Sequence, residues 1–385
     1  MSLVSLVWLG AGLSLLLGGA FVAIRGASRL GEALRLSPTT RGLVPIAFAA
    51  SLPELSVAVW ATGRELDLPA LALGDAIGGV VANFLLALAV AALALPLVIS
   101  PRLLRFAFPL ASLASLASLA TLAVAWTGEI ASIVGVWLLL TAVVGPVVAI
   151  VLDRRDATPP SHRKRERSKR VATKPAEPAP PVRSKQASAI TALSCFAGAA
   201  AIYFGTRWLL IHSPELADVL RLDEATYGLT VLALVTTLPE AVACLILTLR
   251  GDREGAVGVV IGSSLLNLTA ALGLAAMRSS EGLEVPPVVF ELAIPIGIAA
   301  ALACVPSFYG MRQLSRASGL GLFAFFVAYF VYATVGENWY RQDDPVEAQE
   351  TRFYAMFLIA IGLIVVLSAI AMFERLAQKA RLADE

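Results

Sequence analysis

Charge is scarce in this 385-residue chain, where Asp, Glu, Lys and Arg together make up 15% of the residues. So few charged side chains cannot clothe an ordinary globular surface, which excludes a soluble enzyme and a nucleic-acid-binding domain. Cysteine is scarcer: Cys195, Cys244 and Cys304 stand isolated inside apolar stretches. They read as small hydrophobic fillers and exclude a disulfide-stapled secreted scaffold. The two histidines are far apart, His162 in a charged stretch and His212 at the end of an apolar one. No zinc site or proton relay can be assembled from them. A phosphate-cradling glycine loop and a kinase signature are both missing, so ATP-driven pumping has no support. Neither an enzymatic reaction nor a bound cofactor is expected.

What the chain has is apolar surface, with 58% hydrophobic residues and a mean hydropathy of +0.79. About eleven apolar stretches follow one another, each long enough to cross a bilayer as a helix. They cover 3–24, 42–62, 69–97, 104–126, 130–152, 188–211, 226–249, 255–277, 286–309, 318–336 and 353–373. The fold class is an all-α polytopic membrane protein, with the lipid bilayer as its first partner. The opening run, Leu3–Ile24, has neither a basic segment before it nor a small-residue cleavage site, so it reads as a true span.

Residues 153–187 form the one long polar segment, rich in Arg, Lys and Pro. It lacks hydrophobic periodicity and reads as a disordered cytoplasmic linker beside anionic headgroups rather than a nucleic-acid-binding run. With that linker inside, most basic residues fall in cytoplasmic loops, among them Arg25, Arg29, Arg35, Arg41, Arg102, Arg105, Arg250, Arg253, Arg312 and Arg316. The positive-inside rule then places the N-terminus outside and the C-terminus in the cytoplasm. The expected location is the plasma (inner) membrane of a bacterial cell.

An internal repeat organises the chain. Ala47-Phe-Ala-Ala-Ser-Leu-Pro-Glu54 is matched by Ala233-Leu-Val-Thr-Thr-Leu-Pro-Glu240. Downstream of each comes a second match, Gly74-Asp-Ala-Ile-Gly-Gly-Val-Val-Ala-Asn83 and Gly258-Val-Val-Ile-Gly-Ser-Ser-Leu-Leu-Asn267. Each copy spans five helices, an odd number, so the halves have opposite orientation. Residues 1–152 form the first repeat and 188–336 the second, inverted one, while 337–385 hold an eleventh helix and a cytoplasmic tail. Inverted repeats of this kind place a substrate site at the midplane, where the halves meet.

Glu54 and Glu240 fall near the middle of their spans, where a carboxylate costs about 3 kcal/mol or more. Pro53 and Pro239 precede them and deprive a carbonyl one turn earlier, around Ala49 and Val235, of its helical donor. Carboxylate and backbone oxygens side by side suit a hard cation. The glycines at 74, 78, 258 and 262 allow close helix approach, and Asn83 and Asn267 supply amide oxygens. Asp75, in the outer third of its span, reads either as a funnel for cations or as a charge near a helix N-terminus.

Taken together, Ser51-Leu-Pro-Glu54 with Gly74…Asn83, and Thr236-Thr-Leu-Pro-Glu240 with Gly258…Asn267, resemble the two alpha-repeats of the cation/calcium exchanger superfamily, the sodium/calcium exchanger membrane-region type. The resemblance covers roughly 10–150 and 190–336. It implies a secondary antiporter exchanging Ca²⁺ for Na⁺ by alternating access, with small inorganic cations as its substrates. It further implies Glu54 and Glu240 as central ligands, backbone oxygens from Ala47 and Ala233, hydroxyls from Ser51, Thr236, Thr237 and Ser263, and amides from Asn83 and Asn267. The first helix of each half would form a mobile gating pair.

This sequence departs from the family pattern mostly in its first half. Ala50 stands at a Thr position, Gly79 at a Ser, Val80 and Ser264 at Asn positions, and Asn267 where relatives often carry Asp. The cytoplasmic-side monovalent position is therefore expected to be weakened and the sodium-to-calcium ratio lowered. Two alternatives remain open: a calcium or cation antiporter of the same fold coupled to H⁺ or K⁺, and a transport-inactive member kept for structural or regulatory partners.

Overall fold

The computed structural model describes residues 2–99, 129–157, 185–279, 282–340 and 345–383. The expected span at 104–126 and most of the basic linker lie outside the described residues. Among those described, ten helices are long and apolar enough to cross a membrane. The long helices are α1 (Leu3–Ala33), α2 (Pro38–Ala61), α3 (Pro69–Ala94), α4 (Ser132–Ala157), α5 (Lys185–Leu220), α6 (Glu224–Leu249), α7 (Arg253–Arg278), α8 (Val289–Phe308), α9 (Arg316–Tyr340) and α10 (Pro345–Ala383). Two short antiparallel pairs tie loops together: Leu97–Val98 with Gln313–Leu314, and Glu129–Ile130 with Leu283–Glu284.

The helices fall into an inner and an outer set. In the apolar windows of α3 and α7, 83% and 89% of residues are buried, against 28% in α1 and α5. The outer helices present Trp137, Leu140, Val143, Leu193, Phe196, Val365 and Phe373 outward. Such a surface would drive a soluble protein to associate, whereas hydrocarbon solvates it.

The inner set is regular only in part. In α2 a π-helical turn spans Gly42–Ile46 around Pro45, and the helix breaks at Ser51 (φ −81°, ψ 6°) before restarting at Leu52. Its counterpart α6 has a π turn at Gly228–Leu232 but runs unbroken through Pro239. The partners α3 and α7 carry matching π turns at Asn83–Ala87 and Asn267–Ala271. Turns of this type widen the backbone ladder and concentrate at functional sites. In α2 and α6 they follow the N-terminal turns capped by Ser37 and Asp223.

The two halves interlock reciprocally. Gly74 and Gly78 of α3 abut Ala225, Leu229 and Ala233 of α6, while Gly258 and Gly262 of α7 abut Thr39, Leu43 and Ala47 of α2. A Cβ built at Gly262 would lie 2.2 Å from the Leu43 carbonyl oxygen, so only a glycine admits this approach. At one end of the bundle Arg41 binds Asp252, and the Thr39 hydroxyl donates to Glu254 at 2.9 Å. At the other end the Leu71 amide donates to Glu224 at 2.9 Å.

Several expected boundaries shift. α1 and α5 extend past their apolar runs, to Ala33 and Leu220. The linker also begins later than residue 153, because α4 continues through Ala157. Asp153 is buried there and accepts a hydrogen bond from the Ser37 amide at 3.0 Å. Counting apolar residues cannot find a helical turn that is polar but docked.

α1 and α5 pack along a glycine seam. Gly12 and Gly19 of α1 meet Gly205 and Gly198 of α5, at the seven-residue spacing that keeps one helix face against its neighbour. A Cβ at Gly198 would lie 2.6 Å from both the Ala23 amide nitrogen and the Gly19 carbonyl oxygen. Gly198→Val should therefore force the pair apart at a cost of about 1–3 kcal/mol, read as a lower unfolding midpoint of the purified protein in detergent. Gly18→Val, where a Cβ meets nothing within 4 Å, should leave the midpoint unchanged. Equal shifts in both variants would contradict the seam.

Candidate cation-binding site

The ten residues singled out from the sequence, Ala47, Ser51, Glu54, Asn83, Ala233, Thr236, Thr237, Glu240, Ser263 and Asn267, are each no more than 1% exposed. They come from α2 and α6, whose Pro53 and Pro239 precede the glutamates, and from α3 and α7 packed across them. The Ser51 hydroxyl donates to Glu240 Oε1 at 3.3 Å, bridging the repeats. The Ser263 hydroxyl reaches the Ala47 carbonyl at 3.5 Å. The Ala233 carbonyl accepts from the Thr236 hydroxyl at 3.3 Å. Both expected backbone ligands therefore sit beside a hydroxyl of the same site.

Many of the site's polar atoms find no hydrogen-bonding partner. These include both carboxylate oxygens of Glu54, Oε2 of Glu240, the Thr237 hydroxyl and the side-chain amides of Asn83 and Asn267. Leaving one such group buried and unsatisfied costs about 1–3 kcal/mol, and more for a charge. Ionised together, Glu54, Glu240 and the buried Asp75 would also repel one another. A cation bound among them would relieve both penalties. Among the described residues no three acidic, histidine or cysteine side chains close into a metal cage. A cation here would draw much of its shell from hydroxyl, amide and backbone oxygens.

The structure corrects one reading. Asp75 is neither a funnel residue nor a helix N-terminal charge. It lies well inside α3, is 1% exposed, and its Oδ1 accepts a hydrogen bond from Thr236 at 2.9 Å. Glu54 and Glu240 are thus not the only deep acids. Its span gave the wrong impression because α3 starts at Pro69 against α6, so depth along the chain understates burial.

Gly79 lies against the same site, where a Cβ would lie 2.5 Å from Asn267 Nδ2, at the end of that side chain, and 3.8 Å from Glu54 Oε1. The glycine makes room for the Asn267 amide beside Glu54. Ser264, noted only as a departure from the family pattern, is buried with its hydroxyl unpartnered.

Comparison with known proteins identifies the family and the fold. The profile of the family described as sodium/calcium exchanger protein matches residues 4–151 and 190–335, so the chain belongs to that family. It is 28% identical over 332 residues to the protein CaxA of Alkalimonas amylolytica, covering 85% of this chain and 98% of that one. It is 28% identical over 302 residues to the inner membrane protein YrbG of Escherichia coli, strain K12, covering 76% of this chain and 86% of YrbG. The fold resembles a crystal form of the sodium-calcium exchanger NCX_Mj soaked with Na⁺ and Sr²⁺, with a TM-score of 0.61 at 18% identity, over 85% of this chain and 98% of that one.

The room at Gly79 yields a direct test. Gly79→Ala and Gly79→Ser should both displace the Asn267 amide and weaken Ca²⁺ binding about tenfold, some 1.4 kcal/mol. Isothermal titration of the purified protein reads this. Tighter binding in Gly79→Ser than in the unaltered protein would show instead that the position lacks a hydroxyl ligand.

Proposed function

We propose that the protein is a secondary antiporter that exchanges Ca²⁺ for Na⁺ across the membrane by alternating access at the site around Glu54 and Glu240. The observation that carries the proposal is the presence of two buried glutamates at equivalent prolyl positions, with Ser51 of one repeat hydrogen-bonded to Glu240 of the other. A divalent cation balances two carboxylates, and so do two monovalent ones. The same site can therefore hold either ion in turn, with little charge left over inside the low-dielectric bundle.

Ser51, Asn83, Thr236, Thr237, Ser263 and Asn267, with the carbonyls of Ala47 and Ala233, supply the neutral oxygens in this reading. α1 and α5 are the gating pair. They pack on one another through glycines and expose most of their surface, as helices that slide across a buried core must. No enzymatic step is involved. The N-terminus faces outward and the C-terminus the cytoplasm of a bacterial cell.

Glu54→Gln or Glu240→Gln should reduce Na⁺-gradient-driven uptake of radiolabelled calcium in proteoliposomes to background, while the protein still inserts and elutes as a single species. Removing one carboxylate takes a charged ligand away from the calcium-loaded site inside a low-dielectric bundle. Transport at the unaltered rate in either variant contradicts the site. Uptake driven by a pH gradient and indifferent to sodium favours proton coupling, a reading supported by the absence of a hydroxyl at buried Ala50.

Orientation is tested separately. Protease should cut the basic stretch between α4 and α5 in inverted vesicles and spare it in intact cells, because its Arg and Lys residues resist translocation. The reverse pattern contradicts the topology.

A further inference from the structure

Arg207 interrupts the apolar run of α5. A guanidinium there is costly unless it is paired, and two groups of the core receive it. Its Cζ lies 5.0 Å from the centroid of the Trp60 ring, and its Nη2 donates to Glu65 Oε2 at 3.0 Å. One turn earlier on the same face of α5, the Tyr203 ring lies 4.8 Å from that of Trp60. The Trp60 indole N–H donates to the Tyr203 carbonyl at 3.0 Å. Trp60 sits in the last turn of α2, and Glu65 follows in the connection to α3. An ion pair, a hydrogen bond and two ring contacts thus fasten α5 to one end of the core. Trp208, the next residue of α5, packs edge-on against Trp8 of α1 with ring centroids 5.1 Å apart. What holds α5 at this end therefore holds α1 with it.

The other end of the bundle has no equivalent. Aligning Gly12 with Gly198, Gly19 with Gly205 and Pro53 with Pro239 puts Leu17 at the place of Tyr203 and Phe21 at that of Arg207. The same alignment puts Ile246 at the place of Trp60 and Gly251 at that of Glu65. These four residues supply neither the charges of the ion pair nor the donor of the hydrogen bond. At that end α1 instead brings Glu32 to 3.7 Å from Arg41, which itself binds Asp252.

We infer that Trp60 and Glu65 form a latch that docks the α1–α5 pair at the outer end of the core, in the orientation proposed above, and that this latch opens whenever the pair moves. A helix sliding by one turn travels about 5.4 Å. Such a step carries the Tyr203 carbonyl away from the indole N–H and draws the guanidinium from its ring and its carboxylate. Each contact is modest alone, since Glu65 is exposed. They act as a unit because the height of α5 sets all of them. The latch favours one of the two positions of the pair, and so biases which face of the membrane the cation site meets. Tyr203 and Arg207 are positioning residues in this scheme, acting through α5 rather than on the ion.

This inference rests on the exchanger reading, and the experiment keeps the two apart. Sodium–calcium exchange is measured in proteoliposomes that hold the protein in one orientation. Calcium half-saturation is read from the outer and the inner face in turn, for the unaltered chain, Arg207→Gln, Arg207→Lys and Trp60→Phe. Arg207→Gln should move the two half-saturations in opposite directions and change their ratio by at least about fivefold. Trp60→Phe, which keeps a ring but loses the N–H, should shift the ratio the same way by a smaller factor. Arg207→Lys, which keeps the charge over the ring, should stay within about twofold of the unaltered ratio. An unchanged ratio in Arg207→Gln and Trp60→Phe overturns the inference. So does a parallel rise of both half-saturations, the mark of a merely structural contact. A second measurement needs no transport: spin labels on cysteines replacing the exposed Leu193 of α5 and Leu249 of α6, in a chain whose native cysteines are changed to alanine. Arg207→Gln should lower the population of the distance that dominates in the unaltered protein and raise a second one, and one unchanged distance overturns the latch. Failure of the unaltered protein to exchange the two ions contradicts the exchanger reading instead, and the label distance still decides the latch.

Discussion

A carboxylate within a bilayer-spanning bundle costs about 3 kcal/mol or more, and Glu54 and Glu240 place two of them in its buried core. The surrounding structure is organised to hold them there. Pro53 and Pro239 precede the glutamates, π turns widen the same helices upstream, and glycines of α3 and α7 bring backbone oxygens of α2 and α6 within reach. Ser51 ties one half to the carboxylate of the other. A bundle with ordinary apolar residues at these places would need none of these devices.

Placing that charge at the centre divides the labour among the helices. α2, α3, α6 and α7 hold the polar atoms and are buried by one another, whereas α1, α4, α5 and α10 meet lipid with much of their surface. Polar networks at the two ends, Arg41 with Asp252 and Thr39 with Glu254 at one and Leu71 with Glu224 at the other, join the repeats where water can screen charge. α1 and α5 meet instead along Gly12, Gly19, Gly198 and Gly205. Smooth contact between small residues is compatible with sliding, while the hydrogen-bonded core resists it.

Much of this was legible in the sequence, for physical reasons. Apolar length marks a span because hydrocarbon tolerates no unpaired backbone. An acid after a proline, found twice, marks the site because neither residue is cheap inside a membrane. Asp75 escaped because its burial depends on α6 lying across α3, a contact between residues far apart in the chain. At Gly79 the sequence shows an absent hydroxyl, while only the fold shows that the Asn267 amide lies beside it. Asp153 looked like linker because its partner, the Ser37 amide, is a backbone group that composition cannot register.

The central claim is that Glu54 and Glu240 hold one Ca²⁺ jointly, and a double-mutant cycle on equilibrium calcium binding addresses it most directly. Residues acting as one unit are non-additive. Glu54→Gln and Glu240→Gln should each weaken binding strongly, and the double variant should bind no more than about threefold worse than the weaker single variant. Fully additive losses would mean that the two carboxylates act at separate places and would contradict a shared site.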